Sequence, residues 1–301
     1  MSSAPATLRA GELRESPWPR VRSVAGQVAS MFFIGLLYLF LYAPLLVIAL
    51  FSFNDSETQT LPFAGFTTNW YDQMLANDAL KEAAFYSFKV TLLAVAIGIV
   101  FGTGFALLVH RVLGRRTRGA VQGLLAVPVV LPGVVLGISL LVVFRSIDLK
   151  PGFLAIVIGH ATFVTPIIMF VVLTRLRTMD PALEHASMDL GAGRIRTFIN
   201  VTFPQLRVAL LAAALLGFTI SFDEIIVTFF LAGVDITLPV YVWNQLRFGF
   251  TPEINAIFTL IGMASIVLIV AGTILLTGTL RGRSGRRTIA ALVDTNRDGS
   301  S

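Results

Sequence analysis

Six long apolar stretches dominate the chain, and each is interrupted by few or no charged residues. A helix that crosses a bilayer needs about 20 mostly apolar residues, and each stretch reaches that length. The pattern predicts six transmembrane helices, which run from Ala29 to Phe51, Phe88 to His110, Ala120 to Phe144, Phe153 to Leu173, Val208 to Leu231, and Asn255 to Leu280. The first stretch is longer than the apolar core of a cleavable signal peptide, so we interpret it as a retained span.

The composition agrees with a helical membrane protein. Of the 301 residues, 55% are hydrophobic and 13% are charged, and the mean hydropathy is +0.81. Soluble domains have about 45–50% apolar and about 25% charged residues. We therefore expect an all-α polytopic membrane protein. The chain has no cysteine, which excludes disulfide bonds, thiolate metal sites and cysteine nucleophiles.

The basic residues predict the orientation in the membrane. Eighteen of the 23 lysine and arginine residues fall in four segments on one side, namely 1–28, 111–119, 174–207 and 281–301. Cytoplasmic loops carry the excess of basic residues, so both termini are predicted to be cytoplasmic. The net charge of +6 follows from these juxtamembrane clusters and does not indicate nucleic-acid binding. The predicted organisation is a cytoplasmic tail (1–28), a first span with an external loop (29–87), a five-helix core (88–280) and a second cytoplasmic tail (281–301).

No pattern in the sequence predicts catalysis. A phosphate-binding loop needs a lysine after glycines, and none of Lys81, Lys89 and Lys150 follows a glycine. The three histidines are far apart and lack the spacing of a helical metal site. We expect no catalytic site, no metal site and no cofactor on this chain. For His160, which lies in the fourth span, a hydrogen-bonded packing role is favoured over proton transfer.

The external loop between the first two spans, residues 52–87, carries five acidic side chains and one lysine, and it also holds Trp70, Tyr71 and Tyr86. One interpretation is an aromatic belt at the membrane interface above a solvated face. The other is an acidic vestibule that receives a cationic solute or its carrier protein.

The cytoplasmic segment 174–207 contains residues that are typical of the starts and ends of two short helices. Asp180 followed by Pro181 is typical of a helix start, and Gly191 is typical of a helix end. A second helix is predicted from about Gly193 to Thr202, with Pro204 beyond it. Such an element either inserts into a groove of a partner protein or rests on lipid, and the pattern alone does not choose between them.

The residues from Glu184 to Ala192, with Pro204 thirteen positions after Gly191, resemble the EAA loop of the membrane subunits of binding-protein-dependent ABC importers. In that family the loop forms coupling helices that dock onto the ATPase. Counted back from Gly191, the glutamate of the family pattern falls on His185, and Glu184 lies one residue earlier. The resemblance implies ATPase-coupling roles for Glu184, His185, Ala186, Ser187, Asp189, Gly191, Ala192 and Pro204.

Further stretches resemble the spermidine/putrescine class of these permeases. They include Ser221 to Glu224, Thr228 to Leu231, Leu238 to Val240, Arg247 to Gly249 and Thr251 to Ala256, with Gly65 to Tyr71 before the second span. The resemblance implies a type I ABC importer permease fold, in which five helices form a core and the first span wraps a paired permease. It also implies a homologous second permease, a dimer of ATPase subunits that bind ATP and Mg, and an external substrate-binding protein.

Two acidic residues, Asp223 and Glu224, lie deep in the predicted fifth span. Carboxylates in a bilayer normally face an interior or an aqueous path, and carboxylates beside aromatic faces suit a chain of ammonium groups. We expect at least one of them to line the substrate path, with Phe222 nearby. The rival interpretation is a structural contact with the paired subunit.

Other readings of the whole chain remain. The same importer architecture with another small solute, such as 4-aminobutyrate, fits the sequence. A secondary transporter often has internal repeats with paired broken helices, and the two halves of this chain show none.

Flexing points are expected at Pro128, Pro132 and Pro166, and close helix packing is expected at Gly98, Gly102 and Gly104.

Overall fold

The structure is a computed structural model that describes residues 24–57, 61–248, 252–263, 266–267 and 270. The predicted tails lie largely outside these residues, as does most of the last span. The described helices are α1 (Val24–Phe51), α2 (Asn69–Ala76), α3 (Asp78–Leu107), α4 (Arg115–Val130), α5 (Gly133–Ser146), α6 (Phe153–Thr178), α7 (Ala182–Asp189), α8 (Arg194–Thr197), α9 (Phe203–Phe222), α10 (Ile226–Leu231), α11 (Leu238–Phe248) and α12 (Glu253–Met263).

The predicted all-α fold is confirmed. No strand occurs in the described part of the chain, where the only β pairing is an isolated bridge between Asn54 and Phe66. Four helical stretches are long and apolar enough to cross a membrane, namely 26–51, 78–112, 153–178 and 194–222. A fifth span is possible if the bent pair α4 and α5 crosses as one unit, and α12 is a shorter apolar helix at the predicted start of the last span.

The span predicted from Ala120 to Phe144 is broken in the structure. Its two halves, α4 and α5, meet at a bend of 102°. Pro132 stands directly before α5 with an extended backbone, and a residue that precedes proline, here Leu131, is biased away from the helical region. The other two proline positions differ, because α4 continues through Pro128 and α6 continues through Pro166.

Helix α6 forms the centre of the bundle. Its buried side chains pack with those of α3 and α9 in one apolar cluster that includes Ile156, Ile168 and Met169. Close approach to α3 depends on glycines, since a Cβ at Gly98 or Gly102 would meet α6 atoms within 3 Å. The packing role predicted for these two glycines is therefore confirmed. At Gly104 no atom of the described residues lies within 4 Å of an added Cβ, so the packing role of that residue stays a prediction.

The loop before α3 folds back onto the protein. Trp70 is buried, and its indole N–H donates a hydrogen bond to the carbonyl oxygen of Asn54 at 2.8 Å. Trp70 and Met74 of α2 pack in a second apolar cluster with Leu238 and Ile254. Trp70 is therefore a packing residue inside the protein and does not belong to a lipid-facing aromatic belt.

Helix α1 stands apart from this core. None of its most apolar 18-residue window is buried within the chain. Its end is joined to the rest of the fold through Ser52, whose hydroxyl lies 2.7 Å from the Tyr71 hydroxyl. The first span therefore presents its whole apolar surface to lipid or to another subunit.

Candidate coupling segment and substrate path

The segment 180–204 forms the predicted helix–glycine–helix element. An Asp180 carboxylate oxygen accepts a hydrogen bond from the Ala182 N–H at 2.9 Å, which caps the start of α7. Gly191 has a φ of +85°, a conformation that favours glycine. The N–H groups of Gly191 and Ala192 donate to carbonyl oxygens of the last turn of α7 and so close the helix.

The second half of this element differs from the prediction. The helix that begins at Arg194 does not stop before Pro204, because residues 194–222 form one continuous helical stretch of 29 residues. A π-helical turn, Phe198–Thr202, lies just before Pro204, and the Phe203 N–H donates to the Phe198 carbonyl oxygen. Pro204 has no backbone N–H to donate. It lies next to this turn, where the regular α-helical hydrogen-bond pattern is already interrupted. The part of the segment from Arg194 onwards is therefore continuous with α9.

Apolar side chains cover the outer surface of this segment. Helix α7 buries no side chain within the chain. Leu190 is 90% exposed and Ile195 is 78% exposed, and an open concavity of about 800 Å³ lies beside residues 193–200. Contiguous exposed apolar surface of this kind marks an interaction site. Of the predicted coupling residues, His185, Ala186, Asp189, Gly191 and Pro204 are exposed, and Glu184, Ser187 and Ala192 are half-buried.

Glu184 turns towards its own chain. One of its carboxylate oxygens is hydrogen-bonded and ion-paired to the Arg111 guanidinium, and the same oxygen accepts from the Thr202 hydroxyl at 2.5 Å. Sequence reasoning missed both partners. Arg111 lies 73 residues away along the chain, and no periodicity or spacing connects two residues at that distance.

Two of the arginine-rich segments, 111–119 and 174–207, meet at one end of the bundle. Arg118 donates to the carbonyl oxygens of His110 and Leu113 at 3.1 Å, and Arg175 donates to the Gln205 carbonyl oxygen at 3.2 Å. The Arg111–Glu184 pair joins two segments, 111–119 and 174–207, that the charge pattern assigns to the same side of the membrane.

Asp223 and Glu224 do not lie within a continuous helix, because the predicted helix 208–231 is interrupted there. Helix α9 ends at Phe222 and α10 begins at Ile226. A Glu224 carboxylate oxygen accepts a hydrogen bond from the Val227 N–H at 2.9 Å, so this side chain caps the start of α10. The two adjacent carboxylates therefore have different surroundings. Asp223 is exposed, and its side chain has no hydrogen-bond partner among the described residues.

Asp223 lies at a pocket of about 230 Å³ between the α9–α10 break, α11 and α12. Phe222 also lines this pocket. Most of the remaining wall is apolar, and it includes Trp243 and Phe258. Trp243 was not among the predicted path residues, because only the fold places α11 next to the break between α9 and α10. One carboxylate in a wall of aromatic and aliphatic groups can bind an ammonium group with an attached methylene chain.

His160 holds the break in place from α6. Its Nδ1 lies 2.8 Å from the Ser221 hydroxyl, and its Nε2 lies 2.8 Å from the Thr228 hydroxyl. The ring is buried, and the two hydroxyls belong to helices on either side of the break. The hydrogen-bonded packing role predicted for His160 is confirmed by these contacts. Among the described residues, no three histidine, aspartate or glutamate side chains are arranged to hold a metal ion.

Comparison with known proteins decides the family. Residues 94–283 match the family described as "Binding-protein-dependent transport system inner membrane component". This match covers more than half of the chain. The protein belongs to this family of importer permeases.

Curated relatives of this permease cover most of its length. The "Putrescine transport system permease protein PotI" of Escherichia coli (strain K12) is 35% identical over 242 residues, which are 78% of this chain and 86% of the relative. The "Spermidine/putrescine transport system permease protein PotC" of the same strain is 30% identical over 256 residues, 84% of this chain and 96% of the relative. The family resemblance drawn from the EAA-like loop is thereby confirmed.

Solved structures of transporters share the permease fold. A bacterial ABC transporter involved in the import of the acidic polysaccharide alginate has a TM-score of 0.65 at 15% identity, with 84% of this chain and 96% of that chain covered. An amino acid ABC transporter has a TM-score of 0.51 at 18% identity, with 68% and 97% covered. The chain is thus a multi-pass component of a bacterial inner membrane with an ABC transporter permease fold.

Proposed function

We propose that this chain is the permease subunit of an ABC importer that carries putrescine and spermidine, and that it forms half of the translocation path. The observation that carries the cargo assignment is the pocket beside Asp223. Its single carboxylate and its apolar, partly aromatic wall complement an ammonium group joined to methylenes. Relatives named as putrescine and spermidine/putrescine permeases support the same cargo class.

In this proposal Asp223 attracts an ammonium group of the cargo, and Phe222 and Trp243 contact its methylenes or stack against the charge. Carboxylates with no partner are costly at a membrane-embedded site and are typical of a substrate path. Glu224 acts indirectly, because its carboxylate caps α10 and so keeps the break open.

Energy enters through the segment 180–204. We place the partner ATPase on the exposed face of α7 and α8, where Leu190 and Ile195 project. The coupling roles of His185, Ala186, Ser187, Asp189, Gly191, Ala192 and Pro204 belong to this docking surface. Because residues 194–222 form one continuous helix, movement of α8 is passed directly to α9, whose end lies at the Asp223 pocket.

The remaining partners complete the importer. The ATPase subunits bind ATP and Mg, and this chain binds neither. A homologous second permease packs against the exposed apolar surface of α1, lipid covers the remaining outer surface, and an external binding protein delivers the cargo. Both termini face the cytoplasm, which agrees with the meeting of two arginine-rich segments at one end of the bundle.

The test is uptake of labelled putrescine and spermidine by cells that carry the whole system with or without this chain. Excess unlabelled amino acids and 4-aminobutyrate are added as competitors. We expect uptake to depend on the chain and to resist both competitors. Polyamine uptake that is unchanged without the chain, in a strain that lacks other polyamine carriers, would refute the cargo assignment.

The path residue is tested in the same cells with Asp223→Asn, which removes the charge and preserves the size. We expect about a ten- to hundredfold loss of uptake, since hydrogen bonds to charged groups contribute about 1.5–3 kcal/mol. Asp148→Asn is the matched control, because Asp148 is an exposed carboxylate in the α5–α6 connection, remote in sequence from the pocket. Equal uptake by the two variants would remove Asp223 from the path.

A further inference from the structure

Helix α7 is attached to the bundle by very little apolar contact. It buries no side chain, and its two chain connections run through residues 179–181 and 190–193. The second connection contains Gly191 at a φ of +85° and Gly193. An element held in this way swings on its connections unless a further contact fixes it. A docked partner would then move α7 without moving the spans.

The Glu184 carboxylate supplies that contact. It accepts a hydrogen bond from Arg111, which lies in the turn that follows α3, and another from Thr202, which lies in the turn that precedes α9. Within the described residues, the Arg111–Glu184 pair is the one hydrogen-bonded or ionic contact that joins α7 to this end of α3. A hydroxyl contact of 3.1 Å between Ser187 and Thr197 adds a second link towards α8.

Both donors stand on π-helical turns. Arg111 lies in the turn Leu108–Val112 and Thr202 in the turn Phe198–Thr202. Turns of this kind are rare and occur frequently at functional sites, because the wider turn re-aims a side chain. Here two separate π turns place donors on the same carboxylate oxygen. The Thr202 side chain is fully buried, and the Glu184 side chain is 23% exposed.

We infer that Glu184 is a positioning residue that ties the coupling helix α7 to the ends of α3 and α9, so that motion of a docked ATPase reaches both helices together. The inference rests on the proposed importer function. It assigns Glu184 to contacts within its own subunit, and it leaves His185 and the exposed apolar side chains to contact the ATPase.

The physical basis is that the carboxylate couples two helices which pack along α6 in the core of the bundle. A charge-assisted hydrogen bond is roughly twice as strong as a neutral one, and partial burial reduces screening by salt. Loss of the carboxylate charge therefore loosens α7 from α3, while the outer face of α7 keeps its composition. Docking is retained and the transfer of motion is lost.

The experiment uses the complete importer, purified and reconstituted in lipid vesicles, with the variants Glu184→Gln and Arg111→Gln. Two quantities are measured: the amount of ATPase subunit that co-purifies, and the stimulation of ATP hydrolysis by loaded binding protein. We expect unchanged co-purification and about a three- to tenfold loss of stimulation in either variant, as for loss of a partly screened charged hydrogen bond.

A charge reversal separates this role from a general structural one. The double variant E184R/R111E restores the ion pair in the opposite sense, and the Thr202 hydroxyl can accept as well as donate a hydrogen bond. We expect it to regain part of the stimulation that each single variant loses. If the double variant does not insert in the membrane, Thr202→Val, which keeps the side-chain shape, is used instead. We expect Thr202→Val to lower the stimulation of ATP hydrolysis while the ATPase subunit co-purifies in full.

The matched control is Arg207→Gln, which removes an exposed arginine at the same end of the bundle. It is expected to behave as the unaltered protein. Loss of ATPase co-purification in Glu184→Gln would overturn the inference and make Glu184 a docking contact. Full stimulation in both Glu184→Gln and Thr202→Val would also overturn it. If the unaltered chain itself brings down no ATPase, the proposed function fails, and that result is distinct from failure of the Glu184 inference.

Discussion

The contact between α3 and α6 at Gly102 leads to a quantitative prediction about stability. A Cβ at this position would lie 2.8 Å from the Thr165 carbonyl oxygen and 3.0 Å from the Met169 nitrogen. Both are backbone atoms of α6, so neither can rotate away. Gly102→Ala therefore forces the two helices apart.

The size of the effect follows from the distances. A carbon atom approaches a carbonyl oxygen to about 3.3 Å, so the helices must separate by about 0.5 Å at this point. A gap of about 0.5–1 Å already loses a quarter to a half of the dispersion attraction between the atoms on its two sides. We expect Gly102→Ala to lower the free energy of unfolding by about 1–3 kcal/mol, the range found for overpacked cores.

Two neighbouring glycines on α3 provide matched controls. At Gly104 no atom lies within 4 Å of an added Cβ, so Gly104→Ala should leave stability unchanged or raise it by up to about 1 kcal/mol. At Gly98 the nearest atoms, at 2.9 Å, are the side-chain ends of Ile168 and Val164, which can shift, so Gly98→Ala should be intermediate.

The assay is unfolding of the purified protein in mixed detergent micelles, followed by the loss of helical circular dichroism as the fraction of denaturing detergent rises. The expected order of midpoints is Gly104→Ala, then Gly98→Ala, then Gly102→Ala as the least stable. Equal midpoints for the three variants would refute the reasoning, because the close approach of α3 and α6 would then have no energetic consequence.

Three further predictions concern the candidate sites. Gly191→Arg places a residue with a Cβ at a φ of +85°, which costs about 1–2 kcal/mol; it should insert normally but lose cargo-stimulated ATP hydrolysis, and normal uptake by this variant would exclude the docking role. His160→Leu removes the ring nitrogens that contact the hydroxyls of Ser221 and Thr228 and leaves these hydroxyls with their contacts to Thr91 and to the Glu224 carbonyl oxygen; it should lower the unfolding free energy by about 1–3 kcal/mol in total, whereas His160→Gln, which can still hydrogen-bond, should lose less in the same detergent titration. Glu224→Ala removes the cap of α10 and should cost about 1 kcal/mol; a midpoint equal to that of the unaltered chain would show that the cap is not formed.

Much of the fold could be predicted because its signals are local. The start of α7 at Asp180 and its end at Gly191 depend on the chemistry of a few consecutive residues, and both positions were found from the sequence. Apolar length likewise located the membrane-spanning helices. The helix bounds were less accurate, since α3 begins at Asp78 rather than at Phe88 and is stabilised there by a capping Asn77 side chain.

The predicted helix bounds were wrong where an apolar stretch of sequence continues through a break in the helix. Residues 208–231 are almost uniformly apolar, so length and composition indicated one span with two carboxylates inside it. The chain breaks at Asp223 because Glu224 caps a new helix and His160 binds hydroxyls on both sides of the break. Pro204 is the opposite case, since proline predicted a helix end and the adjacent π turn allows the helix to continue.

The sequence by itself determined the all-α membrane class and the family, because apolar length, glycine and proline punctuation and a short motif act within a few residues of one another. Only the tertiary structure decided which side chains come together: Glu184 contacts Arg111 and Thr202, Asp223 and Trp243 line one pocket, and His160 contacts two separate helices. These partners lie on different helices, and their pairing depends on how those helices pack, which no local pattern encodes.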